Sequence, residues 1–140
     1  MEAGMAVGVG MALTRTIGFW MAVPMAALQA VNAVRVVADP VGFSAYMGAP
    51  LEATADASWV MIYGLRTAFI ALLVSILLVR RDLDALKWTA VAALILPLGD
   101  AWVAHEAGAA VLTVARHGAI AAFVLLTAVA LFAGARAARS

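Results

Sequence analysis

Long apolar runs alternate along this chain with short charged or proline-marked breaks. Four of the runs, residues 16–37, 58–79, 86–104 and 110–133, are long enough to cross a bilayer as helices. Their apolar residues are continuous, whereas the strands of a membrane barrel alternate over segments of about ten residues. The pattern predicts an all-α fold, a four-helix transmembrane bundle with antiparallel neighbours, as one integral membrane domain over 1–140. Residues 1–14 (MEAGMAVGVGMALT) are apolar too, but they begin with an acid and lack the basic region of a secretory signal. They read as a glycine-loosened extension of the first helix, retained in the mature protein.

The breaks differ from one side to the other. RRDLDALK is short and charged, as an interfacial hairpin should be. Residues 38–57 form the longest link, yet Val41, Phe43, Tyr46 and Met47 lie between Pro40 and Pro50. An apolar segment with proline brackets rests in the interface, either as a lid over the bundle mouth or as an amphipathic link between two spans.

Composition supports the bilayer setting. Apolar residues make up 66% and charged residues 12% of the chain, against about 45–50% and about 25% in soluble domains. A net charge of +1 lacks the basic excess that a nucleic-acid partner requires. With no cysteine, thiol nucleophiles, iron–sulfur clusters and cysteine-ligated zinc drop out. Sorting the charges by side changes the picture. Arg15, Arg80, Arg81, Lys87, Arg136 and Arg139 fall on one face of a four-span chain, and Arg35, Arg66 and Arg116 on the other. The positive-inside rule then puts both termini in the cytoplasm, with a bacterial inner membrane as the expected location. Asp39, Glu52, Asp56, Asp100 and Glu106 accompany the outer arginines.

An ionisable residue within a span costs roughly 2.5–3.5 kcal/mol on the insertion scale, so it is expected to face the bundle interior and to mark function. Placed at ~1.5 Å per residue, the polar side chains gather in the outer half of every span. Gln29, Asn32 and Arg35 lie in the first, Trp59, Tyr63 and Arg66 in the second, Asp100 in the third, and Thr113, Arg116 and His117 in the fourth. The inner half holds little beyond Ser75 and Thr89. By spacing, Trp59, Tyr63, Arg66 and Ile70 share one helical face. Pro97 removes a hydrogen bond to the carbonyl of Ala93, so LPLGD is expected to bend the third span and turn Asp100 toward a cavity. Arg66 and Asp100 form the most economical ion pair, since an unpaired member would be costly, and Asp39 is available to Arg35. Arg35 and Arg116 are also close enough to the interface to snorkel, and Trp59, Trp102 and Tyr46 suit an aromatic belt.

Other chemistries find no motif. His105-Glu106 is not followed by a second histidine one turn on, His105 and His117 lack a clear third ligand for zinc, and their unequal depths do not suit haem. Neither a metal nor a cofactor is expected. YGLRTAFIALL (63–73) and HGAIAAFVLLT (117–127) align without gaps, which puts Tyr63 and His117 at equivalent depth.

Through YGLR (63–66), PLGDA (97–101), RHG (116–118) and the ADP turn (38–40), the chain resembles a family of small bacterial and fungal membrane proteins of unknown function related to the DoxX-like four-helix group. The resemblance covers roughly 15–133 and implies four spans. Some DoxX-like relatives are associated with quinone-linked oxidoreductases, but no residue here carries that role over.

The expected function is a polar pocket in the outer half of the bundle that binds a lipophilic small molecule. Arg66 and Asp100 would form its floor, with Tyr63, Asn32, His117, Arg35 and Trp59 around it. Conversion of that molecule would be acid–base chemistry (isomerisation, cyclisation or epoxide opening) with Asp100 or His117 as base and Tyr63 or His117 as acid. The competing expectation is a structural or accessory subunit in which the buried Arg–Asp pair only holds helices together. Membrane lipids are the expected surroundings, and small residues such as Gly134 and Ala138 suit association with a second copy.

Overall fold

The computed structural model describes residues 16–137. The helical extension expected at 1–14 lies outside them. Regular structure among the described residues is entirely helical: α1 (Ile17–Ala38), α2 (Pro40–Met47), a 3-10 turn (Thr54–Asp56), α3 (Ala57–Arg80), α4 (Leu83–Ala93), α5 (Ile95–Glu106) and α6 (Val111–Ala137). Four helical segments are long and apolar enough to span a membrane, namely α1, α3, α4 with α5, and α6. They match the four predicted spans to within a few residues at each end. The chain is an integral membrane protein with a four-helix bundle fold.

Local chemistry sets the boundaries. The Thr16 side chain accepts from Phe19 N–H at the start of α1. Asp39 ends α1 and starts α2: its N–H donates to the Arg35 carbonyl, while its carboxylate accepts from Gly42 N–H at 2.8 Å. Pro40 occupies the first helical position of α2, where no N–H is needed. Gly48 closes α2 with φ 91°, a conformation that costs glycine nothing. At the opposite end Arg81 (φ 55°) terminates α3 and the Asp82 side chain caps α4. The region between the two prolines is therefore an ordered helix, with Phe43 and Ser44 turned inward and Val41 and Tyr46 outward.

The third span is interrupted at Leu94, three residues before Pro97. The missing Pro97 N–H leaves the Ala93 carbonyl without its normal helical donor, and the helix resumes at Ile95.

Packing relies on small residues. A Cβ on Gly64 would lie 2.5 Å from a Val36 methyl, and one on Gly18 would lie 2.6 Å from the Leu131 backbone nitrogen. Thus α1 meets α3 closely near the α2 end of the bundle and meets α6 closely near the other end, as expected where van der Waals contact rather than water exclusion drives association. Below the middle, toward the α3–α4 hairpin, Phe19, Ala22, Ala26, Val74, Leu83, Leu86, Ala90, Ala128 and Leu131 form a closed apolar core. Trp20, Leu65, Phe69, Leu72 and Leu126 are exposed around the outside, which fits lipid as the surrounding solvent.

Candidate functional site

The apolar core stops short of the α2 end, and there the polar residues collect. Four elements bring them to a cavity of about 40 Å³: Gln29 and Asn32 from α1, Tyr63 from α3, Asp100 from α5, and Arg116 and His117 from α6, with Tyr46 and Met47 of α2 completing the lining. A space this size holds a single water or a small polar group.

Each polar side chain has a distinct role in that lining. The Tyr63 hydroxyl donates to Asp100 Oδ2 at 3.4 Å, a long bond and therefore a weak one. His117 is 2% exposed, and its Nε2 lies 3.1 Å from the Met47 carbonyl oxygen. A carbonyl only accepts, so Nε2 carries the proton and Nδ1 is the nitrogen left for other chemistry. Through this bond α6 holds the end of α2 in place. Asn32 Oδ1 is buried and has no hydrogen-bond partner. Such an atom costs about 1–3 kcal/mol, and it marks a position where a donor from a bound group would be stabilising.

Arg116 sits at the edge of this cavity. Its guanidinium donates to the Tyr46 carbonyl and stacks on the Tyr46 ring 3.8 Å from the centroid. Arg35 approaches the same ring at 4.6 Å.

A larger chamber of about 450 Å³ adjoins the polar cavity and runs toward the middle of the bundle. Leu28, Gln29, Leu96, Pro97, Arg116 and Ile120 line both spaces. Its other walls, including Met25, Ile70, Val74 and Phe123, are apolar. Pro97 and Ala93 line it too, so the break in the third span lies at the chamber wall. On the far side of Tyr63 and Asp100 is a third space of about 300 Å³, between α2, α3 and α5, which includes Phe43, Trp59 and Val103. Met47, Tyr63 and Asp100 line both this space and the polar cavity.

The expected site residues therefore separate. Asn32, Tyr63, Asp100 and His117 come together. Trp59 lines only the third space, and Arg35 a cleft of about 230 Å³ with Asp39 and Tyr46. Arg66 corrects the sequence reading: it is exposed, lines none of these spaces and makes no ion pair with Asp100. The face of α3 that turns inward carries Gly64, Thr67, Ala71 and Val74, and Arg66 lies roughly 115° around the helix from its centre at ~100° per residue. Close approach of α1 at Gly64 selects that face, and the aromatic and charged stripe is left on the flank. Arg35 likewise lacks the expected ion pair with Asp39, whose carboxylate caps α2 instead. Tyr46 acts beyond an aromatic belt as the platform for two guanidiniums, and the adjacency of Arg116 to His117 was the available hint that Arg116 reaches the same cavity. Among the described residues no three of His, Cys, Asp and Glu group as metal ligands.

Fold and site define the chain as a small four-helix integral membrane protein with a polar cluster at one end of the bundle. Residues 26–131, about three quarters of the chain, match the family described as a domain of unknown function, DUF4267, and the chain belongs to that family. No curated protein and no solved structure matches it.

Proposed function

We propose that this protein binds a lipophilic small molecule with a polar end, the apolar part in the 450 Å³ chamber and the polar part in the adjoining cavity. The observation that carries the reading is the shared wall: six residues line both spaces, so one compartment is apolar at one end and polar at the other. Binding sites are typically of this kind, mostly apolar with a few convergent polar groups. Asn32 Oδ1, buried without a partner, would accept a hydrogen bond from a water held beside the bound group in the 40 Å³ cavity.

Tyr63, Asp100 and His117 also support acid–base conversion of such a molecule (isomerisation, cyclisation or epoxide opening). Asp100 or the free Nδ1 of His117 would act as base and the Tyr63 hydroxyl as acid. The absence of an Arg66–Asp100 pair removes both the contact named for a purely structural role and the expected floor of the pocket, while the His117–Met47 bond holds α2 to α6. Kinship with the DoxX-like group, a bacterial inner membrane and cytoplasmic termini remain part of this proposal, supported by the four spans and by the excess of Lys and Arg at the α3–α4 turn.

The test is mass spectrometry of the lipid phase from protein purified in nanodiscs, comparing the wild type with Asp100→Asn and His117→Ala. A co-purifying amphiphile that both variants lose supports the reading. Equal small-molecule content in all three proteins and in empty nanodiscs would overturn it.

A further inference from the structure

The chamber contains a more specific signal than its size. Of the residues around it, only Gln29 and Arg116 are polar. Arginine carries five N–H donors and no acceptor and stays charged. No carboxylate lies within ion-pair distance of Arg116, the one such pair among the described residues being Lys87 with Asp84. Asp100 lines the polar cavity with it but is engaged by the Tyr63 hydroxyl. The Tyr46 ring and carbonyl satisfy part of the guanidinium, yet a ring quadrupole is a weak substitute for a counter-ion. Half-buried and without a carboxylate partner, the guanidinium keeps donors that a bound acidic group would satisfy.

We infer that the bound molecule is a lipophilic anion, a single apolar chain ending in a carboxylate or phosphate, and that Arg116 is its counter-ion. This rests on the binding reading above and narrows it to a class. Gln29, beside Arg116 in both spaces, adds an amide donor to an acidic oxygen, and a planar guanidinium suits such a group by two parallel bonds. At about 450 Å³ the chamber falls within the range of small-molecule sites, roughly 300–1,000 Å³.

Matched probes separate this inference from the reading beneath it. Nanodiscs with and without protein are equilibrated with radiolabelled dodecanoate, dodecyl phosphate, dodecanol or dodecylamine, and retention above the empty disc is measured for the wild type, Arg116→Gln and Arg116→Lys. Dodecanoate or dodecyl phosphate should bind the wild type at least about tenfold more tightly than dodecanol, with dodecylamine the weakest. Whichever acid binds more tightly identifies the head group. Arg116→Gln should remove the acid preference, so that dodecanoate and dodecanol are retained to the same extent, and Arg116→Lys should restore part of it. The thermal midpoint of Arg116→Gln, followed by tryptophan fluorescence beside the wild type, reports that the variant is folded. If acid and alcohol bind the wild type equally, or if Arg116→Gln weakens both alike, the counter-ion inference is wrong although the chamber still binds. If no probe binds the wild type, both the inference and the binding reading fall.

Discussion

Asn32 is the position where stability and function should pull against each other. Its Oδ1 is buried without a partner, and leucine has nearly the same shape with no polar atoms. Replacing the amide should therefore release the desolvation cost of an unmade hydrogen bond, about 1–3 kcal/mol, and leucine adds a few tenths through its better helix propensity. The side chain borders a cavity of about 40 Å³, so the branched methyls have space and overpacking should not offset the gain. At roughly 3–5 °C per kcal/mol for a chain of this length, Asn32→Leu should raise the thermal midpoint by at least about 3 °C. The assay is thermal unfolding in nanodiscs followed by tryptophan fluorescence, with protein stripped of small amphiphiles, and the same variant should retain less ligand than the wild type. An unchanged or lower midpoint would mean that Oδ1 is satisfied in the membrane, and its use as an acceptor for a bound group would have to be abandoned.

Three further substitutions test the packing and the site. Gly64→Ala places a methyl where Val36 already lies, 2.5 Å away, and should destabilise by about 1–3 kcal/mol; adding Val36→Ala should recover part of the loss, and a strictly additive double variant would contradict the close contact. His117→Ala removes the bond to the Met47 carbonyl and should speed amide hydrogen exchange throughout α2 while leaving the core around Leu86 and Leu131 protected. Arg66→Leu should leave stability no lower than the wild type by more than about 0.5 kcal/mol and ligand retention unchanged, because Arg66 faces outward; a loss of ligand would restore it to the site.

Much of the fold was legible in the residue pattern because a bilayer imposes few choices. Backbone polar groups in hydrocarbon must pair within the segment, so a long apolar run in a chain without alternation becomes a helix. The caps rest on equally local chemistry, although Asp39 was expected to pair with Arg35: Asp39 with Pro40 and Asp82 after Arg81 end and start helices through atoms only a few residues apart. Relative height could be read as well, since rise per residue is constant, and Asn32, Tyr63, Asp100 and His117, which that reading put at one level, line one cavity.

What spacing alone did not decide was azimuth. Trp59, Tyr63, Arg66 and Ile70 form as good a stripe as Val60, Gly64, Thr67 and Ala71, and a helix in lipid has no aqueous side to distinguish them. The choice was made by surface shape: Gly64 admits Val36 and Gly18 admits the backbone of α6, and these two contacts rotate α3 and α6 about α1. That rotation exposes Arg66, joins Tyr63 to Asp100 and brings Arg116 to the boundary of the apolar chamber. The sequence by itself determined how many helices cross and at what height their polar groups sit, because those follow from hydropathy and a fixed rise. Only the tertiary structure decided which of those groups meet, because that depends on which helix faces can approach most closely.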